Sequence, residues 1–250
     1  MTTMTLTQIE RELRILKVYS AAITVLAVIA LVAAEGAAKS KTTRFAEIDV
    51  ERLNIVEADG RVALVLANTQ RIPGPMLAGK ELPKELSAGR TGSAGLIFVD
   101  AQGNEVGGLV YGARVNADGS YSAESGFTFD QHNQDQVVGF EYDDDGSRRS
   151  YGMSVWDRPT KVSIAEMLAA AQGAPDREAR HRKFEELLKQ RGDTTGARRV
   201  FLGSQDRTAA LRISDAAGRE RIRLSVDSGN AARLEFLNES GRVVYALPPQ

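Results

Sequence analysis

Leu53-Asn54-Ile55-Val56-Glu57-Ala58-Asp59-Gly60-Arg61-Val62-Ala63-Leu64 carries the strongest structural signal in the chain. Apolar and polar residues alternate on both sides of Asp59-Gly60, and a glycine there supplies the positive φ that a tight turn between antiparallel strands requires. The phrase returns around Gly103, Gly146, Gly218 and Gly241. Even spacing of Gly60, Gly103 and Gly146 hints at repetition. The next interval breaks that spacing and the intervening loops share no composition, so neither a solenoid nor a propeller follows. The chain reads as mainly β, an antiparallel body of hairpins and meanders.

Outward from that stretch, Phe45 to Leu66 alternates through Ile48, Val50, Leu53 and Ile55, then resumes after the turn with Val62, Leu64 and Leu66. This spacing predicts a hairpin with one apolar face. Leu96 to Val99 and Val106 to Gly112 make a second unit, in which Gly107-Gly108 marks a bulge or close backbone approach. Ala210 to Val226 and Arg233 to Leu247 form a terminal meander. The resulting divisions are a β domain over 45–160 and a C-terminal β meander over 198–250.

Two stretches interrupt the strands. Residues 68–92 contain Pro73, Pro75, Pro83 and four glycines, a long excursion with little regular structure. Its Arg71, Lys80, Lys84 and Arg90 suit an acidic partner or open solvent. Residues 161–192 read as a small inserted helical hairpin. Ser163 and Glu166 form a capping box opening a helix that Gly173 ends, and Asp176 begins another that carries Phe184, Leu187 and Leu188 on one face up to Gly192.

Val18 to Ala34 is free of charge and, with the small residues that follow Glu35 through Ala38, approaches the roughly 20 residues a membrane-spanning helix needs. It reads as a transmembrane anchor over 18–38. Gly36 and Ala38 would also suit signal-peptide cleavage, but the preceding segment 1–17 is long, carries Glu10 and Glu12 among basic residues, and has helical periodicity of its own, which favours an uncleaved signal-anchor. Basic residues flank both sides (Arg11, Arg14, Lys17; Lys39, Lys41, Arg44), so charge alone does not orient the span. The short tail ahead of a large cysteine-free body places the bulk outside the cytoplasm. Leu6, Ile9, Leu13 and Leu16 give the tail a coiled-coil seam, and Ser20, Ile23, Ala27, Ala30 and Ala34 continue it with small residues, so the anchor is expected to self-associate or, alternatively, its tail lies on the membrane surface.

Composition narrows the function. A formal net charge of -1 supplies no basic field for nucleic acid. With no cysteine and only His132 and His181, thiolate chemistry and a multi-histidine metal centre are excluded within one chain. No glycine-rich segment carries a phosphate-binding or dinucleotide pattern, so no cofactor is expected. Asp143-Asp144-Asp145-Gly146-Ser147 lacks the glutamate a calcium loop needs at its twelfth position, Ser154, and reads as a hairpin turn. Arg177, Arg180, Arg182 and Lys183 interleave with glutamates, as on a solvated helix face. The densest polar run is Asp130-Gln131-His132-Asn133-Gln134-Asp135-Gln136. As a strand it would set Asp130 and His132 on one face, where an acid could orient a base. No nucleophile stands near.

Gly107 to Gly112, Phe129 to Gln136 and Leu234 to Val244 together resemble a group of bacterial single-pass membrane-anchored proteins without an established activity. The resemblance implies an anchor and a β-rich body, and transfers no catalytic residue.

The expectation is a non-enzymatic envelope protein held in the lipid bilayer through 18–38, a β-rich interaction or structural module that self-associates or meets an envelope partner. The alternative is a ligand-binding module whose site brings Arg71, Lys80 and Arg90 of loop 68–92 over Asp130, His132 and Asp135 of strand 130–136. A hydrolase using Asp130 and His132 is the third reading, short of a nucleophile and an oxyanion site.

Overall fold

The structure, a computed structural model, describes residues 6–37, 43–82, 90 and 92–249. The first five residues of the tail, Ala38 at the end of the anchor, Lys39 and Lys41, and the Pro83, Lys84 and Gly89 portion of the long loop lie outside the described residues, as does Gln250. Two compact units divide the chain, Met1–Asp49 and Val50–Gln250.

The first unit contains α1 (Leu6–Ala37), one continuous helix through both the charged tail and the apolar stretch. Within Leu6–Ala30 an 18-residue window reaches a mean hydropathy of 1.9. The 32 residues of α1 correspond to about 48 Å at ~1.5 Å per residue, more than the ~30 Å of a hydrocarbon core. α1 is therefore long and apolar enough to cross a membrane.

The second unit holds β1 (Arg52–Val56), β2 (Val62–Ala67), a short ribbon of β3 (Met76–Leu77) and β4 (Lys80–Glu81), then β5 (Ala94–Val99), β6 (Glu105–Val115), β7 (Tyr121–Asp130), β8 (Gln136–Asp144) and β9 (Arg149–Asp157). Helices α2 (Ile164–Ala170) and α3 (Arg177–Arg191) follow. The chain ends with β10 (Ala197–Gln205), β11 (Thr208–Ser214), β12 (Glu220–Val226), β13 (Ala232–Leu237) and β14 (Val243–Leu247). All strands except β3 and β4 form one antiparallel sheet of 12 strands in chain order. β9 pairs with β10 across the helical insertion, so the strands of 45–160 and of 198–250 share this sheet.

One turn design explains the order. In the turns opening at Glu57, Asp100, Asn116, Asp215, Asp227 and Asn238, the first residue exchanges backbone bonds with the residues three and four ahead. Glycine occupies the positive-φ position in five of these turns, and Asn230 in the sixth. Asp100, Asp215, Asp227 and Asn238 each add a side-chain oxygen that accepts two backbone N–H groups across the turn. These bonds fix each hairpin locally, so strands add in sequence. At Gly146 the turn is stabilised differently: buried Asp144 accepts from the Gly146 N–H, from Arg149 and from the hydroxyls of Tyr121 and Tyr142. The Gly146 N–H leads the bonds that hold its pKa down at about 2. Its share of stability is expected to fade as pH falls from about 4 towards 2.

Three expectations need correcting. The first strand begins at Arg52; Phe45 and Ile48 lie exposed in irregular chain. Residues 130–136 are not a strand: β7 stops at Asp130, 131–135 turn, and β8 begins at Gln136. Gln131 N–H bonds to the Asp135 carbonyl and Gln134 N–H to that of Gln131, and this turn satisfies the polar backbone that a strand would have paired sideways. The long excursion also has regular structure in its described part, since Met76 and Leu77 pair with Glu81 and Lys80.

α2 opens on the expected box, with Ser163 and Glu166 bonding reciprocally. α3 opens on Asp176 and ends at Gly192, whose left-handed φ of 61° returns its N–H to the last turn. Leu188 is the buried residue of α3.

Candidate functional site

The two faces of the sheet are inverted relative to an ordinary hydrophobic core. Register places one large apolar residue from every strand in a single row: Leu53, Leu66, Leu96, Leu109, Phe127, Phe140, Met153, Leu202, Leu211, Leu224, Leu234 and Leu247. Two residues along each strand, on the same face because side chains alternate, runs a second row. It comprises Ile55, Leu64 and Phe98, then Gly107, Phe129, Val138, Val155, Val200, Ile213, Ile222, Phe236 and Tyr245. No residue of the first row is buried, and Phe140 and Leu202 are 57% and 52% exposed. Phe98, Phe127 and Phe129 cluster within the two rows, with ring centroids 4.9–6.3 Å apart.

The opposite face mixes small, polar and charged residues with a few large apolar ones, and most of the buried strand residues lie on it. Val65, Ala67, Ile97 and Val99 form a core there with Ile72 and Met76 from the excursion. Ser154, Phe201 and Glu235 are also buried. Phe201 lies beneath the guanidinium groups of Arg198 and Arg212, and Glu235 is paired at 3.1 Å with Arg223. Gly152 and Gly203 face each other across β9 and β10. A Cβ on Gly152 would come within 2.4 Å of the Leu202 carbonyl, so the strands meet too closely on this face for a side chain. In β13 the inversion is plain: Glu235 is inside while its neighbour Phe236 is exposed.

A cleft of about 890 Å³ lies where the excursion, the 130–136 turn and the two helices meet. Pro75, Met76, Leu77 and Leu82 come from the excursion, Ile164, Leu168 and Phe184 from the helices, and Arg90, Glu105, Asp130 and Asp135 supply charge. Gln131 and Gln134 donate to the carbonyls of Pro159 and Val162, tying the turn to the segment that leads into α2. Arg90 is paired with Glu105, and Arg158 lies 3.5 Å from Asp135. Asp130 Oδ1 and Glu105 Oε2 are buried without a hydrogen-bond partner among the described residues. Burial first, then the charges of Glu105 and Asp135, raise the Asp130 pKa to about 7 against the opposing pull of Arg90 and Arg158.

Since the folded pKa of Asp130 lies above its ordinary value of 3.8, the native protein holds a proton the unfolded chain has lost, and stability declines as pH rises from about 4 to about 7. Asp130→Asn is expected to flatten that decline and to be more stable than the parent by about 2 kcal/mol at pH 8, half of a full conversion because the side chain is only partly buried. Urea midpoints across pH 5–8 measure it; a parallel decline in the variant would assign the slope to other groups.

Of the residues singled out in the sequence, the structure brings Arg90, Asp130 and Asp135 to this cleft. His132 is not among its lining residues: it is exposed in the turn, its Nε2 2.9 Å from Asn133 Nδ2. The common strand face on which an Asp130–His132 pair depends does not form. Arg71 points to Glu51 at 3.9 Å, and Lys80 is exposed on β4. Sequence reasoning missed Glu105, and it missed Arg177, Arg180 and His181 as cleft residues because their interleaved glutamates look like any solvated helix face. It also missed the two rows, since alternation within a strand gives no register between strands. Among the described residues no group of three or more metal-ligating side chains is placed to hold an ion. Compared with known proteins, the chain matches no family model, no curated protein and no solved structure.

Proposed function

We propose that the protein is a non-enzymatic, single-pass membrane-anchored module of the cell envelope, with its β body outside the cytoplasm, that works by binding through the apolar face of its sheet. The observation that carries this reading is the pair of apolar rows across all twelve strands, most of whose side chains stay exposed or half-exposed among the described residues of the β body. Exposed apolar surface of that extent marks an interaction site in a soluble body. The apolar helix α1 supports the anchor, and α2 with α3 forms a small helical hairpin beside the cleft.

The anchor is tested in α1. Lysines at Ile23 and Val28 each oppose insertion by roughly 3 kcal/mol near a helix centre, so the double variant is expected to leave the membrane fraction at alkaline pH while the parent stays. Retention of the double variant would remove α1 as the anchor. Protease reaching the body only from the cytoplasmic side would overturn the sidedness.

A second reading, a ligand-binding module, is favoured by the cleft over Arg90, Glu105 and Asp130. Its test is a thermal-shift survey of small amphiphiles and metabolites, with Arg90→Ala expected to abolish any shift found.

A further inference from the structure

We infer that the partner covering the apolar face is a second copy of this chain, seated face to face so that the two sheets form the two layers a single copy lacks. This rests on the interaction-module reading and names its partner. Domains bury sheets in pairs of layers or under helices, because a one-sided sheet leaves its apolar face in water. Here the inner face holds most of the buried strand residues, yet the two long apolar rows face outward.

Extent decides between partners. Twelve strands about 4.8 Å apart, with two side-chain rows about 7 Å apart, make a strip on the order of 50 Å by 14 Å, roughly 700 Å². That exceeds the ~300–600 Å² of the largest patch on a typical monomer and approaches the ~800 Å² each partner contributes to a stable complex. The two rows are built almost wholly of Leu, Val, Ile and Phe, the composition of interfaces between identical chains rather than of separable partners. A bilayer does not fit the strip. A lipid-facing barrel band is about 25 Å tall, whereas acidic turns border this one at both rims, Asp59, Asp100 and Asp215 at one and Asp118, Asp145 and Asp227 at the other. Seven of the twelve strands have only five to seven residues, against the roughly 9–11 needed to span. Copies tethered in one membrane also meet at raised effective concentration.

Phe140 and Met153 sit at the middle of the first row, sixth and seventh of twelve strands. In any centred face-to-face pair they approach their counterparts most closely. Because the chain has no cysteine, Phe140→Cys in the full chain, in its own membranes, reports contact without background. A short bifunctional maleimide is expected to give a species of twice the chain mass, falling at least tenfold when Leu109→Glu is added, while Ser228→Cys in an exposed turn gives none. An adduct of Phe140→Cys with a different polypeptide would overturn the second copy and keep the interaction module. Free reaction of Phe140→Cys with a bulky polar maleimide, without any adduct, would overturn both.

Discussion

Glutamates in place of Phe140 and Leu202 together are expected to disperse the assembly while leaving the sheet folded. Both side chains are more than half exposed in the single chain, so carboxylates there stay hydrated and change folding stability by less than about 1 kcal/mol. In a face-to-face pair the same carboxylates lose their water opposite leucine and phenylalanine with no cation in reach, and the desolvation is not repaid. A loss of at least about 3 kcal/mol, on the order of 100-fold in association, follows. Sedimentation of the detergent-extracted chain measures it. A variant still assembled at the parent's concentration would show that other surfaces hold the copies together, the small-residue stripe of α1 first among them.

The second large effect separates two phenylalanines on opposite faces of one sheet. Phe201 is 4% exposed and Phe140 is 57% exposed. Phe201→Ala removes a buried ring, leaves a cavity and strips Arg198 and Arg212 of the aromatic surface beneath their guanidinium groups, so a loss of about 3 kcal/mol or more is expected. Phe140→Ala, in the dispersed chain, is expected to cost less than about 1 kcal/mol. Urea unfolding of both variants in the same detergent gives the comparison. Equal costs, or a larger one at Phe140, would mean that the faces have been assigned the wrong way round.

How far the sequence could be read follows from what each signal contains. A turn is a local event, and Asp59-Gly60, Gly103, Gly146, Gly218 and Gly241 announced five hairpins through residues that only such turns favour. Gly119 and Asn230 close two further turns of the same design, and Asp206 and Arg207 make the tight link between β10 and β11 with positive φ at both residues. That last turn lacks glycine, so nothing local betrayed it. Alternation reported two distinct faces, but it could not say which was buried. That depended on Gly152 meeting Gly203, and on Ile72 and Met76 reaching Val65 and Ile97 from the excursion, contacts between residues distant in sequence. The same limit applies to the cleft. Asp130 and Arg90 stood out as polar or basic residues in unusual company, whereas Glu105 looked like an ordinary strand opening until register brought it beside them.

Single cysteines at Ser154 and Leu202 report by their reactivity whether the face of the two apolar rows lies outside and the face of Ser154 inside. Ser154 is fully buried and nearly isosteric with cysteine, and Leu202 is half exposed. In the detergent-dispersed chain the thiol of Leu202→Cys is expected to react with a polar maleimide about 100-fold faster than that of Ser154→Cys, whose labelling waits on local opening. Equal rates, or faster labelling at Ser154→Cys, would mean that the face of the two apolar rows is not the outer one.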